Sequence, residues 1–168
     1  EMALICEDLG GDVWRVRELV NKLPGRLMLL PGAGVGGHCI PKDPWLLITN
    51  VANYQPRLIP TARAVNRDMP AQVVRMTLEA LADAGVEAAS AVVAVLGYAY
   101  MGNSDDTRDT PTQYYLPLIA EQVGEVRVQD PFVHDYQADM ADVLDGADIA
   151  VVMVDHQAYA EADWDTLT

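Results

Sequence analysis

Three short apolar runs in the second half of the chain restrict its fold more than any other feature. Residues 91–96 (AVVAVL) run into Gly97, residues 126–129 (VRVQ) into Asp130-Pro131, and residues 149–154 (IAVVMV) into Asp155-His156. Continuous apolar runs of this length, stopped by turn-forming residues, read as strands buried on both faces. Between them lie helical segments: one starting at Pro111 and running to about Val123 before Gly124, and a short one over Met140–Leu144. A β-α-β-α-β alternation predicts a parallel sheet with right-handed crossovers. Ligands on such sheets bind beyond the carboxyl ends of the strands. Those ends are residues 97–110, 130–134 and 155–156.

The first half carries helical patterns only. Met2, Leu4, Ile5 and Leu9 fall on one helical face, Gly10-Gly11 break it, and Asp12 is an N-cap for a helix over 13–23, closed by Pro24-Gly25. A short helix is expected to begin near Pro44, a residue suited to a first turn. Residues 57–84 read as a long helical region interrupted at Pro70 and stopped by Gly85. Ala62, Val65, Met69, Val73, Met76 and Ala80 recur there at helical spacing and offer a broad face to another chain.

Bulk properties exclude several classes. Lys and Arg total 11 against 25 Asp and Glu, a net charge of −14, so the basic stripe of a nucleic-acid-binding surface is lacking. Any anionic ligand must be held by a few placed cations and backbone N–H groups. No apolar run approaches the roughly 20 residues that cross a bilayer. The opening residues show neither a basic stretch nor a small-residue cleavage site, so no signal peptide is read. Cys6 and Cys39 are the only cysteines, too few for a disulfide framework, and point to a reducing, cytoplasmic compartment.

Cys39 is the chemically distinctive residue. It lies in PGAGVGGHCIPKDPW (31–45), with Gly32, Gly34, Gly36 and Gly37 before it and Pro41, Lys42, Asp43 and Pro44 after it. Glycines let a backbone approach a ligand closely, and prolines stiffen the exit. A thiol beside His38 and Lys42 on such a loop is placed as a nucleophile. Lys42 favours a thiolate or neutralises an anion, and Asp43 orients or deprotonates a water. A metal site is not read, because His134 and His156 are isolated and no paired cysteines occur. Cys6, on a face with Met2 and Leu9, reads as core filling. In the loop GYAYMGNSDDTRDTP (97–111), Asp105, Asp106 and Thr107 cap the next helix and Arg108 pairs with them; alternatively Arg108 contacts a ligand.

GAGVGGHCIPKD (32–43) and NSDDTRDTP (103–111) together resemble the UDP-glucose / UDP-N-acetylmannosamine (GDP-mannose) dehydrogenase family. The glycine-rich loop ending in C-x-P-x-D and the second-domain D-D-x-R-x-(S/T)-P loop carry the resemblance. The GGHC form with its trailing DPW is similar to the N-acetylhexosamine branch. The resemblance implies an α/β architecture in two parts. A helical central dimerisation region, residues 1–88, carries the cysteine loop. A partial Rossmann-like, UDP-sugar-binding domain, residues 89–168, lacks its last strand. It further implies that an N-terminal NAD-binding domain belongs to the same polypeptide and is absent from these residues.

The activity implied is oxidation of the C6 alcohol of a UDP-(N-acetyl)hexosamine to the uronic acid for polysaccharide biosynthesis. NAD accepts two hydrides, and Cys39 holds a thiohemiacetal and then a thioester, which suits a soft nucleophile. Asp43 assists the hydrolytic water, and Lys42 lies near Cys39 and the nicotinamide. Leu30, Pro31, Gly32, Gly34, Val35 and Gly36 lie against the sugar nucleotide, as do Tyr100 and Met101, and Arg108 contacts the cofactor. Two departures bear on the sugar: Met101 stands where the family often has lysine, and Arg26 sits one place beyond the position of the branch's H-P-R arginine. A homodimer through the central helices is the implied assembly. The alternative is a non-catalytic, dimerising nucleotide-sugar-binding module.

Overall fold

A computed structural model describes residues 1–167. The chain forms two compact units, the first spanning Glu1–Gly32 and the second beginning at Ala33. In the first, helix α1 (Met2–Asp8) is followed by α2 (Val13–Asn21). Asp12 caps α2 as expected, its Oδ1 accepting from Trp14 N–H at 2.8 Å and Arg15 N–H at 3.3 Å. The helix stops two residues short of expectation. The Asn21 amide instead accepts from Met28 N–H at 2.7 Å and donates to Met28 C=O at 3.1 Å. Cys6 is buried.

The second unit opens with the cysteine loop, then α3 (Asp43–Ile48) and the 26-residue α4 (Leu58–Asp83). Pro44 occupies the first turn of α3 as expected. The expected interruption at Pro70 does not occur, and α4 runs through it. A proline inside a helix removes one hydrogen bond and costs about 3 kcal/mol. Burial offsets this, because Pro70, Val74, Thr77 and Leu81 all turn inward from α4. That buried stripe lies beside the expected one. Ala62, Met76 and Ala80 are exposed, while Val65, Met69 and Val73 are half-buried.

Strands β1 (Val92–Leu96), β2 (Glu125–Gln129) and β3 (Ile149–Val152) form a parallel sheet in the order β2-β1-β3. Helix α5 (Pro111–Ala120) connects β1 to β2, and α6 (Met140–Leu144) connects β2 to β3. The Rossmann-like α/β expectation therefore holds. Alternate residues of central β1 feed two cores. Val93 and Val95 pack with Val74, Leu81, Tyr115 and Ile119 on one face, and Ala94 and Leu96 with Val143, Leu144 and Tyr159 on the other. Tyr115 and Thr77 share a hydrogen bond of 3.0 Å that ties α5 to α4 inside the first core.

The ends of β3 and α5, and the cap of α5, differ from expectation. β3 ends at Val152, although Met153 N–H still donates to Leu96 C=O at 2.8 Å. α5 ends at Ala120, closed by turn hydrogen bonds from Gln122 and Val123 to Ile119 C=O. Its cap is Thr110, whose hydroxyl accepts from Thr112 N–H, and not Asp105, Asp106 or Thr107. Two short helices, α7 (Gln157–Ala160) and α8 (Trp164–Leu167), follow β3. Among the described residues no helix is long and apolar enough to cross a membrane.

Candidate functional site

The cysteine loop is seated by two glycines. Gly36 and Gly37 are buried, while the flanking His38, Cys39 and Ile40 are exposed. A Cβ on Gly36 would stand 2.4 Å from the Asp109 carbonyl oxygen and 2.9 Å from Tyr100 Cβ. One on Gly37, whose φ is +91°, would meet the Tyr100 ring at 2.9 Å. Only glycine permits this approach. Gly37 N–H then donates to Arg108 C=O at 2.7 Å. The loop is thus laid directly on the segment that follows β1.

Past the glycines the chain turns into α3. Cys39 C=O accepts from Lys42 N–H at 3.1 Å and Asp43 N–H at 2.8 Å, which leaves the thiol at the solvent-facing start of the turn. Its Sγ lies 3.8 Å from His38 Nδ1, and Lys42 Nζ lies 3.2 Å from His38 Nε2. Lys42 and Asp43 are both exposed, with 4.0 Å between ammonium and carboxylate. Cys39, Lys42 and Asp43 are therefore brought together on one exposed turn.

Arg108 comes to the same place from the segment after β1. Asp106 takes a bidentate hydrogen bond from its guanidinium and one from its backbone N–H at 3.0 Å. These bonds hold the Asp106 carboxyl down at about 2. Arg108 is raised in turn, first by the Asp106 bond and to a lesser degree by the charges of Tyr100 and Cys39. The guanidinium thus shares the electrostatic neighbourhood of the thiol while staying largely in solvent. Pairing with an acidic neighbour, one of the two roles left open for Arg108, is what its side chain does here.

The remaining expected site residues divide between the units. Arg26, Leu30, Pro31 and Gly32 belong to the first, and Gly34, Val35, Gly36, Tyr100 and Met101 to the second. Tyr100 is half-buried under Gly37, whereas Met101 is exposed. Among the described residues no group of three or more His, Cys, Asp or Glu side chains is placed to hold a metal ion.

Two groups of residues escaped the sequence reading. One is on α4. Asn66 binds the Val35 backbone, and the buried Arg63 faces Asp109 at 3.9 Å. With Gly34, Pro111 and Tyr114 they line a cavity of about 90 Å³. The available signal was an asparagine in a helix interior, where it is a poor helix former. The other group joins the strand ends. Asp130 is fully buried and accepts from Tyr98, Ala99, Phe132 and Val133 N–H groups and from His156 Nε2 at 3.0 Å. His156 Nδ1 accepts from Asn103 N–H at 2.9 Å, so the ring is the Nε2–H tautomer and is not isolated. Burial pushes the Asp130 carboxyl up, but the backbone and His156 hydrogen bonds outweigh it and leave it below the usual carboxylate range.

A small parallel sheet with loops gathered at its carboxyl edge, against which a glycine-seated turn carries an exposed cysteine, defines a Rossmann-like α/β protein. Residues 1–68 match the central domain, and residues 94–168 the UDP binding domain, of the UDP-glucose/GDP-mannose dehydrogenase family. The chain belongs to this family. It is 40% identical over 99% of its length to a UDP-N-acetyl-D-mannosamine dehydrogenase of Pyrococcus horikoshii, and 35% identical over 99% to an NDP-N-acetyl-D-galactosaminuronic acid dehydrogenase of Ralstonia solanacearum. It spans 40% of the length of each of these relatives. Among solved structures, the UDP-D-ManNAc dehydrogenase of P. horikoshii superposes with a TM-score of 0.92 at 39% identity, over 99% of this chain and 40% of that one. An NDP-N-acetyl-D-galactosaminuronic acid dehydrogenase from Methanosarcina mazei gives 0.90 at 36% identity, over 99% and 39%.

Proposed function

We propose that this chain is the cysteine-loop and UDP-sugar-binding part of an NAD-dependent nucleotide-sugar 6-dehydrogenase that acts on a UDP-(N-acetyl)hexosamine. The observation that carries the reading is the exposure of Cys39 on a turn seated by Gly36 and Gly37 against the loop bearing Arg108. An inert structural thiol has no need of that seat. The relatives' names supply the substrate class.

Cys39 Sγ adds to the C6 aldehyde of the sugar; the S–C bond forms, and the carbonyl oxygen takes a proton to complete a thiohemiacetal. Loss of hydride from that carbon, with the hydroxyl proton released to solvent, leaves a thioester on the same sulfur. Asp43 accepts a proton from the attacking water, the C–S bond breaks, and the uronate leaves with the thiolate restored. Lys42 and Arg108 keep positive charge near the sulfur in the thiolate steps. Gly34 and Gly36 offer backbone to the substrate. Tyr100 and Met101 flank it from the strand-end loop. Bound NAD⁺ supplies the hydride acceptor for both oxidations. Lys42, whose ammonium meets the His38 ring at 3.2 Å, and Arg108 are exposed cations that suit an anionic dinucleotide.

The rest of the enzyme, including the NAD-binding domain, belongs on this reading to the same polypeptide in the cytoplasm, and the chain by itself forms no NADH above background. Exposed Leu46, Leu47, Tyr54 and Leu58 support a homodimer through the central helices. The test is stoichiometry in the intact enzyme. Two NADH per UDP-sugar, and a Cys39→Ala variant that yields no uronate, are expected. Full uronate formation without Cys39 overturns the proposal. Tight UDP-sugar binding without any oxidation leaves a nucleotide-sugar-binding module instead.

A further inference from the structure

Asn66 stands near the middle of the first half of α4, a place where its helix propensity argues against it. Its side chain does what a neighbouring β-strand would do. Val35 N–H donates to Asn66 Oδ1 at 2.7 Å, and Asn66 Nδ2 donates to Val35 C=O at 3.1 Å, across 31 residues of sequence. Both backbone groups of one residue are thus satisfied by one amide. Val35 itself is 47% exposed, so burial of its side chain does not explain its position.

Three neighbouring features serve the same contact. Pro70 lacks an N–H, which leaves the Asn66 carbonyl without its helical donor. Gly34 approaches that carbonyl so closely that a Cβ would lie 3.4 Å from it and 3.3 Å from the Pro111 ring, and its φ of +129° disfavours any side chain. One turn earlier, buried Arg63 faces Asp109, the residue whose carbonyl covers Gly36. A single face of α4 therefore reaches both segments that enclose Gly36 and Gly37, and Cys39 follows two residues later.

We propose that Asn66 is a positioning residue for Cys39: its amide sets the register and height of the loop so that the sulfur reaches the oxidised carbon. The proposal rests on the dehydrogenase reading for its kinetic consequence and on geometry alone for its structural one. The two are tested together in the intact enzyme. Asn66→Ala is expected to lower kcat about 100-fold, the effect of roughly an ångström of misplacement, while KM for the UDP-sugar stays within about threefold. Hydrogen exchange at the Val35 and Gly37 amides is expected to quicken about tenfold, the loss of one or two net hydrogen bonds. Asn66→Asp keeps the acceptor for Val35 N–H but sets a carboxylate against Val35 C=O. It is expected to show the same kcat loss, and it serves if the alanine variant does not fold.

Unchanged exchange at both amides overturns the proposed contact. Faster exchange with wild-type kcat overturns the positioning role, and an equal rise in KM makes Asn66 a substrate contact instead. If the unmodified enzyme oxidises no sugar nucleotide, the dehydrogenase reading fails, and the exchange experiment still decides whether Asn66 holds the loop.

Discussion

The cysteine loop and the strand-end cluster around Asp130 are both built from polar residues near the carboxyl edge of the sheet, and they are built in opposite ways. At Asp130 and His156 every polar atom described has a partner, and both side chains are fully buried. At Cys39 the reactive groups are exposed and loosely spaced, and only the backbone beneath them is constrained. A saturated, buried network stores stability, because removing one member strands the others. An exposed turn on a tightly seated backbone stores geometry and leaves its side chains available. Burial of charged groups therefore marks the scaffold in this protein, and on the proposed function the chemistry belongs to the side chains that burial has spared.

That contrast fixes the order of expected effects. Asp130→Ala leaves four backbone N–H groups and the His156 ring without an acceptor inside the protein, and is expected to lose about 3–5 kcal/mol in urea unfolding. A loss under about 1 kcal/mol would show that the strand ends are held by something else. Gly36→Ala drives a methyl into the Asp109 carbonyl and is expected to cost roughly 1–3 kcal/mol, with a collapse of sugar oxidation in the intact enzyme. Wild-type activity there would separate the seat of the loop from its function.

Acid unfolding tests the cluster more finely. The Asp130 carboxyl titrates lower in the folded state than in the unfolded one, so its contribution is complete above the unfolded carboxylate value near about 4. It is lost as pH falls through the folded value. Asp130→Asn is therefore expected to flatten the acid limb of the stability profile, and an unchanged limb assigns that limb to other carboxylates. The smallest effect is expected at the thiol. Cys39→Ser should move Tm by less than about 2 °C, since the side chain buries little. A larger shift would make Cys39 part of the scaffold after all.

The sequence revealed the parts whose signal is local. Each strand is an apolar run bounded by turn residues, and the glycines of the loop announce a close approach, read from the sequence as that of a ligand; in the structure the Asp109 carbonyl and Tyr100 take that place against Gly36 and Gly37. What it concealed depends on contacts distant in the chain. Pro70 reads as a break, and only the packing of Val74, Thr77 and Leu81 shows why the helix survives it. Thr110 competes as a cap with three earlier residues of equal capping chemistry, and is chosen because its hydroxyl also donates to Ala99 C=O. His156 looks isolated until β1, β2 and β3 align and bring Asp130 and Asn103 to its two nitrogens. Asn66 is 31 residues from the backbone it holds.

The covalent bond proposed between Cys39 and the oxidised sugar carbon is tested most directly by trapping it. In the intact enzyme, Asp43→Asn should slow hydrolysis so that incubation with UDP-sugar and NAD⁺ leaves an acyl adduct. Peptide mass spectrometry should find that adduct on Cys39, and hydroxylamine should release it. Uronate produced by the unmodified enzyme with no adduct on Cys39 under any quench, or an adduct on another residue, would contradict the account.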